Sequence, residues 1–169
     1  MKQIIIAGAG SFVGDSLAAH LEKTEGYRIA VVDLQREGWQ DEIRFCDALV
    51  QVAGIAHVRE TEENMALYYK VNRDMAYECA KLAKTRGVMQ FIYMSSMSVY
   101  GRTTGHITAD TPLQPESHYG RSKTAAEALL GALEGGRRDV QGVGQPGQNL
   151  ALGAVLAPVG EVAPLAHRG

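Results

Sequence analysis

The sequence predicts an α/β fold: a doubly wound parallel sheet with helices on both faces, incomplete, and followed by an irregular C-terminal tail. Three observations predict it. Short continuous apolar runs alternate with stretches of helical period along residues 2–134, the pattern of strands buried on both faces between crossover helices. The first run ends in a glycine-rich turn, "AGAGSFVG". The composition then breaks. Every aromatic residue lies between Phe12 and Tyr119, and from Gly131 to Gly169 nine of 39 residues are Gly and three are Pro.

Taken in order, "KQIIIAG" (2–8) reads as a buried strand closed by glycine. "SFVGDSLAAHLEKT" (11–24) places apolar residues at 13, 17, 18 and 21, a helical period. "YRIAVVDL" (27–34) is a second strand and "DALVQVAG" (47–54) a third. The connector between them is too short for a helix and a strand; a loop or a single helical turn is expected, with Trp39 folded over something. Residues 61–87 predict one long helix with apolar positions 67, 71, 75, 79 and 82, ended by Gly87 as a left-handed cap. "VMQFIYMSSMSVYG" (88–101) is a strand running into a polar stretch, 101–117 a loop rich in Thr, Gly and Pro, and "YGRSKTAAEALLGALE" (119–134) a final helix.

Bulk properties exclude several classes. At 169 residues and 46% apolar content the chain makes one domain with a packed core. A net charge of −2 with both signs interspersed leaves no footprint for nucleic acid or an anionic membrane. No apolar run is long enough to span a bilayer, and "MKQIIIAGAG" lacks the apolar length of a signal peptide. Cys46 and Cys79 are too few for a disulfide framework and read as reduced, half-buried thiols. The expectation is a cytoplasmic protein without nucleic-acid or membrane partners and without a metal site.

Four groups of residues suggest chemistry. Gly8 and Gly14 flank the turn into the first helix, where tight turning and close approach to a phosphate both favour glycine, and the helix N-terminus behind them offers free N–H groups. The strict dinucleotide fingerprint wants glycine at 13, where Val13 stands; the spacing is instead Gly8-x-x-Ser11-x-x-Gly14 with Gly10 added and Phe12 between. A purely structural strand–helix turn reads the same. Asp33, at the end of the second strand, can accept hydrogen bonds from a ribose and repel a 2′-phosphate, which favours NAD over NADP; a solvated strand-end Asp is the plain alternative, and Arg36 nearby could soften the preference. Tyr119 and Lys123 share a helix face. A cation beside a phenol stabilises the phenolate, as a general base requires, although such pairs are common on surfaces. Ser95 and Ser96 end a buried strand, where open parallel sheets place ligands, and also suit plain capping. Asn72 sits in mid-helix, where it is mildly unfavourable unless it has a task.

In this order and spacing, "GAGSFVG", "VVD", "VAG", "YYKVN", "SSMSVYG" and "YGRSK" resemble the extended short-chain dehydrogenase/reductases, and among them the NAD-dependent sugar-nucleotide epimerase/dehydratase family of the UDP-glucose 4-epimerase type. The resemblance covers about residues 2–133 and implies a Rossmann-type fold. It implies Ser96, Tyr119 and Lys123 as catalytic residues, with Asn72 organising a proton-relay water. It implies NAD held by Gly8, Gly10, Ser11, Phe12, Val13 and Gly14 at the phosphates, by Asp33 at the adenosine ribose, and by Val52, Ala53 and Gly54 along the cofactor, with Tyr119 and Lys123 at the nicotinamide ribose. A nucleotide sugar is the implied substrate and a homodimer the implied assembly. Met97 and Ser98 stand where the 4,6-dehydratases carry an acidic pair, which argues for epimerase or reductase chemistry. Adenine contacts from Asp41, Asp47 or Trp39 stay open.

Residues 1–133 are therefore expected to form a partial NAD-binding domain, and 134–169 a Gly/Pro-rich tail, disordered or read out of frame, with "LALGAVLAPV" (150–159) its one strand-like stretch. The resemblance implies that the family's C-terminal substrate region is absent. The sheet is expected to expose an edge where its next strand would lie.

Overall fold

The computed structural model describes residues 1–56, 58–108, 110–133 and the strand 151–155. Five strands, β1 (Lys2–Ala7), β2 (Tyr27–Val32), β3 (Ala48–Gln51), β4 (Gln90–Met94) and β5 (Ala151–Val155), form one parallel sheet in the order β2-β1-β3-β4-β5. The order reverses between β1 and β3, so the crevice at the C-terminal ends of those strands is the place where such sheets bind ligands. The edge expected to be open beside β4 is paired by β5, with Gln90 opposite Ala151 and Met94 opposite Val155. That strand falls in the one strand-like stretch of the tail. Residues 134–150 and 156–169 lie outside the described residues.

The two faces of the sheet carry separate cores. Ile4, Ile6, Ala48 and Val50 point to α1 (Phe12–Glu22), where Leu17, Ala18 and Leu21 meet them. Ile5, Ala7, Leu49, Phe91 and Tyr93 point to the other face, under α3 (Ala76–Thr85) and α4 (His118–Leu133). Three of the buried α3 residues on that face are alanines, Ala76, Ala80 and Ala83, small enough to bring the helix close to the sheet. Trp39 opens a 3-10 turn, Trp39–Glu42, and is buried with Leu34, Ile43 and Cys46. The short connector is thus one helical turn, pinned to the end of α3 by the Arg86 guanidinium, which donates to the Gln40 and Ile43 carbonyls.

The long helix departs from expectation in two ways. It is continuous but not uniform: a 3-10 turn (Glu62–Asn64) leads into α2 (Met65–Tyr68), then a π-helical stretch Tyr69–Met75, then α3. Its buried row agrees with expectation at Cys79, and Met75 and Leu82 pack against the core, but its N-terminal part is displaced by one residue. Leu67 is 47% exposed, whereas Tyr68 and Asn72 are fully buried. The polar atoms of Tyr68 and Asn72 find partners inside, which removes the usual penalty on burying them. Gly87, at φ +73°, ends the segment as the left-handed cap. Cys46 and Cys79 are fully rather than half buried, and both are free. Among the described residues no helix is long and apolar enough to cross a membrane.

Candidate active site

The turn after β1 is built as a cradle. Gly8 has φ +140°, and a Cβ there would lie 2.7 Å from both the Ala53 nitrogen and Val52 Cγ2. A Cβ on Gly14 would lie 2.7 Å from the Gly8 carbonyl oxygen and from Ser11 Oγ. Ser11 does not block the turn, because its hydroxyl is folded inward. It donates to the Gly8 carbonyl at 2.7 Å and accepts from the Gly14 amide at 3.1 Å as the N-cap of α1. Gly10, at φ +72°, has open space where a side chain would be, and its amide meets Asp15 Oδ1 at 3.2 Å. Phe12 and Val13 begin the helix with exposed side chains, and their first-turn amides point out of the helix for an outside acceptor. A pyrophosphate fits this arrangement: first-turn amides, a helix N-terminus, and glycines at 8 and 14 where any Cβ would collide.

Asp33 follows β2, exposed, with Oδ1 accepting from the Gln35 amide at 2.9 Å. Arg36, the residue that could answer a 2′-phosphate, faces Glu42 at 3.8 Å. Val52 and Ala53 leave β3 with both amides on the Ala7 carbonyl, at 2.9 and 3.0 Å. Gly54 comes next, and a Cβ on it would lie 2.9 Å from Asn72 Oδ1 and 3.4 Å from Lys123 Nζ. The strand end thus runs directly against the two polar residues that the helices contribute.

Asn72 lies within the π-helical stretch, and every polar atom of its amide is used. Oδ1 accepts from the Ile55 amide at 2.9 Å, while Nδ2 donates to the Ile55 carbonyl and to Ser122 Oγ, each at 3.0 Å. Its own carbonyl accepts from the Tyr93 hydroxyl at 3.2 Å. It clamps the chain leaving β3 to α4 rather than bonding back to its own helix.

Lys123 is 4% exposed. Its ammonium donates to the Met94 carbonyl at 2.9 Å and lies 4.7 Å from the centre of the Tyr93 ring and 5.9 Å from that of Tyr119. Burial lowers its pKa to about 8, against an opposing pull from Glu127. Tyr119 is half buried one turn earlier. The first turn of α4 is tied down by Glu60, whose carboxylate accepts the amides of His118 and Tyr119 at 2.8 and 3.0 Å. Ser96 caps a 3-10 turn, Met97–Tyr100, accepting from the Ser98 amide at 3.2 Å. That turn presses on α4 at Gly120, where a Cβ would stand 2.5 Å from the Ser98 carbonyl oxygen. Ser95 instead donates to Glu127.

The structure therefore gathers Asn72, Lys123, Tyr119 and Gly54 at the C-terminal end of the sheet, with Ser96 on the adjoining turn and the Gly8–Gly14 cradle at the head of β1. Sequence reasoning missed Glu60, Tyr93, Ser122 and Glu127. Glu127 follows Lys123 by one helical turn, a spacing that could have marked it. Glu60 reaches across 58 residues to His118 and leaves no local signal.

Comparison with known proteins decides the family. The profile of the NAD dependent epimerase/dehydratase family matches residues 4–141. The chain belongs to this family. Among curated relatives it is similar to UDP-glucose 4-epimerase 4 of Oryza sativa subsp. japonica, 28% identical over 75% of this chain and 39% of the relative. It is also similar to UDP-glucose 4-epimerase of Vibrio cholerae, 29% identical over 78% of this chain and 47% of the relative. Among solved structures it superposes on MoeE5 in complex with UDP-glucose and NAD with a TM-score of 0.72, at 25% identity, over 90% of this chain and 52% of that one. The Rossmann-type epimerase fold is thereby shared, and the chain spans less than half the length of these two curated relatives.

Proposed function

We propose that this chain binds NAD and carries the proton-transfer half of a sugar-nucleotide epimerase, with Tyr119 as general base. The observation that carries the reading is Lys123: a buried cation held by the end of β4, within 6 Å of the Tyr119 ring and against the Gly54 end of β3. Burying an ammonium costs stability, and groups perturbed in this way cluster at functional sites. In this reading the amides of Phe12 and Val13, set by Gly8, Gly10, Ser11 and Gly14, hold the pyrophosphate. Asp33 takes the adenosine ribose, and Val52, Ala53 and Gly54 line the cofactor. Bound NAD supplies the hydride acceptor. Tyr119 takes the proton of a sugar hydroxyl, Lys123 steadies the phenolate and the nicotinamide ribose, and Ser96 hydrogen-bonds the forming carbonyl. Asn72 positions the strand exit under them. Met97 and Ser98 supply no acid for eliminating water, so epimerisation is favoured over 4,6-dehydration.

The test has two parts. NAD should raise the thermal midpoint of the full chain in a saturable way, as any ligand of the folded state must. UDP- and GDP-hexoses incubated with the NAD-saturated chain should then epimerise, read by NMR of the products. Tyr119→Phe should keep NAD affinity within about twofold, because a phenol-to-ring change leaves the phosphate contacts intact, and should lower turnover at least 100-fold. Turnover unchanged in that variant overturns the base assignment. The second reading is a cofactor-binding module without turnover. NAD binding with no epimerised product supports that one. No response to NAD removes both.

A further inference from the structure

Two consecutive residues at the end of β4 hold two residues one turn apart on α4. The Met94 carbonyl accepts from Lys123 Nζ at 2.9 Å, and Ser95 Oγ donates to Glu127 Oε1. We infer that Glu127, held by Ser95, is a positioning residue that keeps Lys123 a cation inside the site. This rests on the reading above that Lys123 serves Tyr119 and the cofactor.

The surroundings of Lys123 give Glu127 this task by elimination. From β4, Lys123 meets the Met94 carbonyl and the Tyr93 ring; from its own helix, the Tyr119 ring. From the β3 exit it meets Gly54, and the long helix contributes the neutral amide of Asn72 behind that glycine. None of the ion pairs among the described residues includes Lys123. Among the described residues Glu127 is the carboxylate that favours the ammonium: it lies one turn along the same helix, fixed to Ser95 while Lys123 is fixed to the neighbouring Met94 carbonyl, and it opposes the effect of burial. The relation is mutual. Burial holds the Glu127 carboxyl above the ordinary range, while the Ser95 hydrogen bond and Lys123 both favour its ionised form. A hydroxyl donated to a carboxyl oxygen is stronger when that oxygen is charged, so the Ser95 bond favours the carboxylate.

The consequence is local. Without Glu127 a larger fraction of Lys123 is neutral near pH 7, and the positive field at the Tyr119 phenol weakens. The Met94 bond alone does not prevent this, since a neutral amine can also donate to a carbonyl.

The experiment is an NMR titration of the full chain carrying 13C-lysine, with six lysine signals, that of Lys123 assigned by its absence in Lys123→Met. Glu127→Gln keeps an oxygen for Ser95 and removes only the charge. Lys123 is expected to titrate at lower pH in this variant, while the other lysines stay in place. An unmoved Lys123 titration in folded Glu127→Gln overturns the inference; a merely structural Glu127 predicts that result. The unmutated chain gives an independent reading. Its Lys123 signal should show a second, smaller inflection at acid pH as Glu127 takes up its proton, and a single inflection overturns the coupling even if the variant does not fold. Neither readout needs NAD. Failure of NAD to bind removes the site reading and leaves the titration result standing, and the reverse also holds.

Discussion

Asn72 and Asp33 show how differently two polar residues of one candidate site can behave. Asn72 is fully buried and spends both ends of its amide on Ile55 and Ser122. Asn72→Asp keeps the shape and exchanges a donor for an acceptor. The new oxygen would face the Ile55 carbonyl and a Ser122 hydroxyl already committed as donor to the Tyr119 carbonyl. The expected cost is about 3 kcal/mol, the range for breaking a buried polar pair, read from the urea midpoint. A loss under about 0.5 kcal/mol would mean that the clamp does not hold the β3 exit. Asp33 is exposed and bonded only locally, to the Gln35 amide, so its value lies in binding. Asp33→Ala should weaken NAD about tenfold, the scale of one charge-assisted hydrogen bond, and leave NADP affinity nearly unchanged. Arg36 is exposed and only loosely paired with Glu42, at 3.8 Å, so it stays free to answer a 2′-phosphate. Equal losses for the two cofactors in calorimetric titration would remove the specificity argument.

Among the elements, α4 carries most of the candidate site and depends on one glycine. Gly120 lies where a Cβ would stand 2.5 Å from the Ser98 carbonyl oxygen and 3.1 Å from Pro115 Cβ. Backbone cannot yield as a side-chain tip can. Gly120→Ala should therefore push the first turn of α4 off the Ser96 turn, destabilise by about 1–3 kcal/mol despite alanine's better helix propensity, and weaken NAD through the displaced Tyr119 and Lys123. A gain in thermal midpoint would show that the contact is slack. The elements also explain what was legible beforehand. β1, β3 and β4 could be read because a strand buried on both faces needs an unbroken apolar run, and α1 because its apolar residues keep a helical period. The long helix was legible in its second half, where Cys79 is buried and Met75 and Leu82 pack against the core, and not in its first. There apolar identity points to Leu67 and Val71, whereas the buried residues are Tyr68 and Asn72, whose polar atoms are satisfied by the Val58 carbonyl and by Ile55 and Ser122. Such partners come from distant segments, and so does the π-helical stretch that presents them. β5 was faint because Ala and Gly dominate it. The Gly8–Gly14 cradle, Tyr119 and Lys123 were visible from spacing; Glu60 and Tyr93 act across the fold and were not.

Over the whole molecule, the buried ionisable groups set how stability responds to alkali, and they pull in opposite directions. Burial pushes the Cys46 thiol up to about 11 and Cys79 up to about 12, and raises the Tyr93 phenol. Once the unfolded chain's thiols ionise near 9, the folded state binds more protons than the unfolded one. Their contribution is complete below that pH and is lost as the pH rises toward the folded values. Lys123 has the opposite sign. Its folded value of about 8 lies below its ordinary 10.5, so burying it costs stability at and below pH 8, and that cost is relieved as the pH climbs toward 10.5. Between pH 8 and 9 Lys123 acts nearly alone, and stability should rise with a slope approaching 1.4 kcal/mol per pH unit, roughly the limit for one proton. Above pH 9 two thiols oppose one amine, and the Tyr93 phenol joins them near 10, so the curve should turn and fall. Urea midpoints measured from pH 7 to 10.5 are thus expected to pass through a maximum near pH 9. In Cys46→Ala/Cys79→Ala the maximum should move to higher pH and the later fall should flatten, because among the described residues the raised Tyr93 and Tyr68 phenols then oppose Lys123. A midpoint that declines steadily from pH 8 in the unmutated chain would mean that Lys123 keeps an ordinary affinity for its proton inside the fold and that its burial carries no such cost.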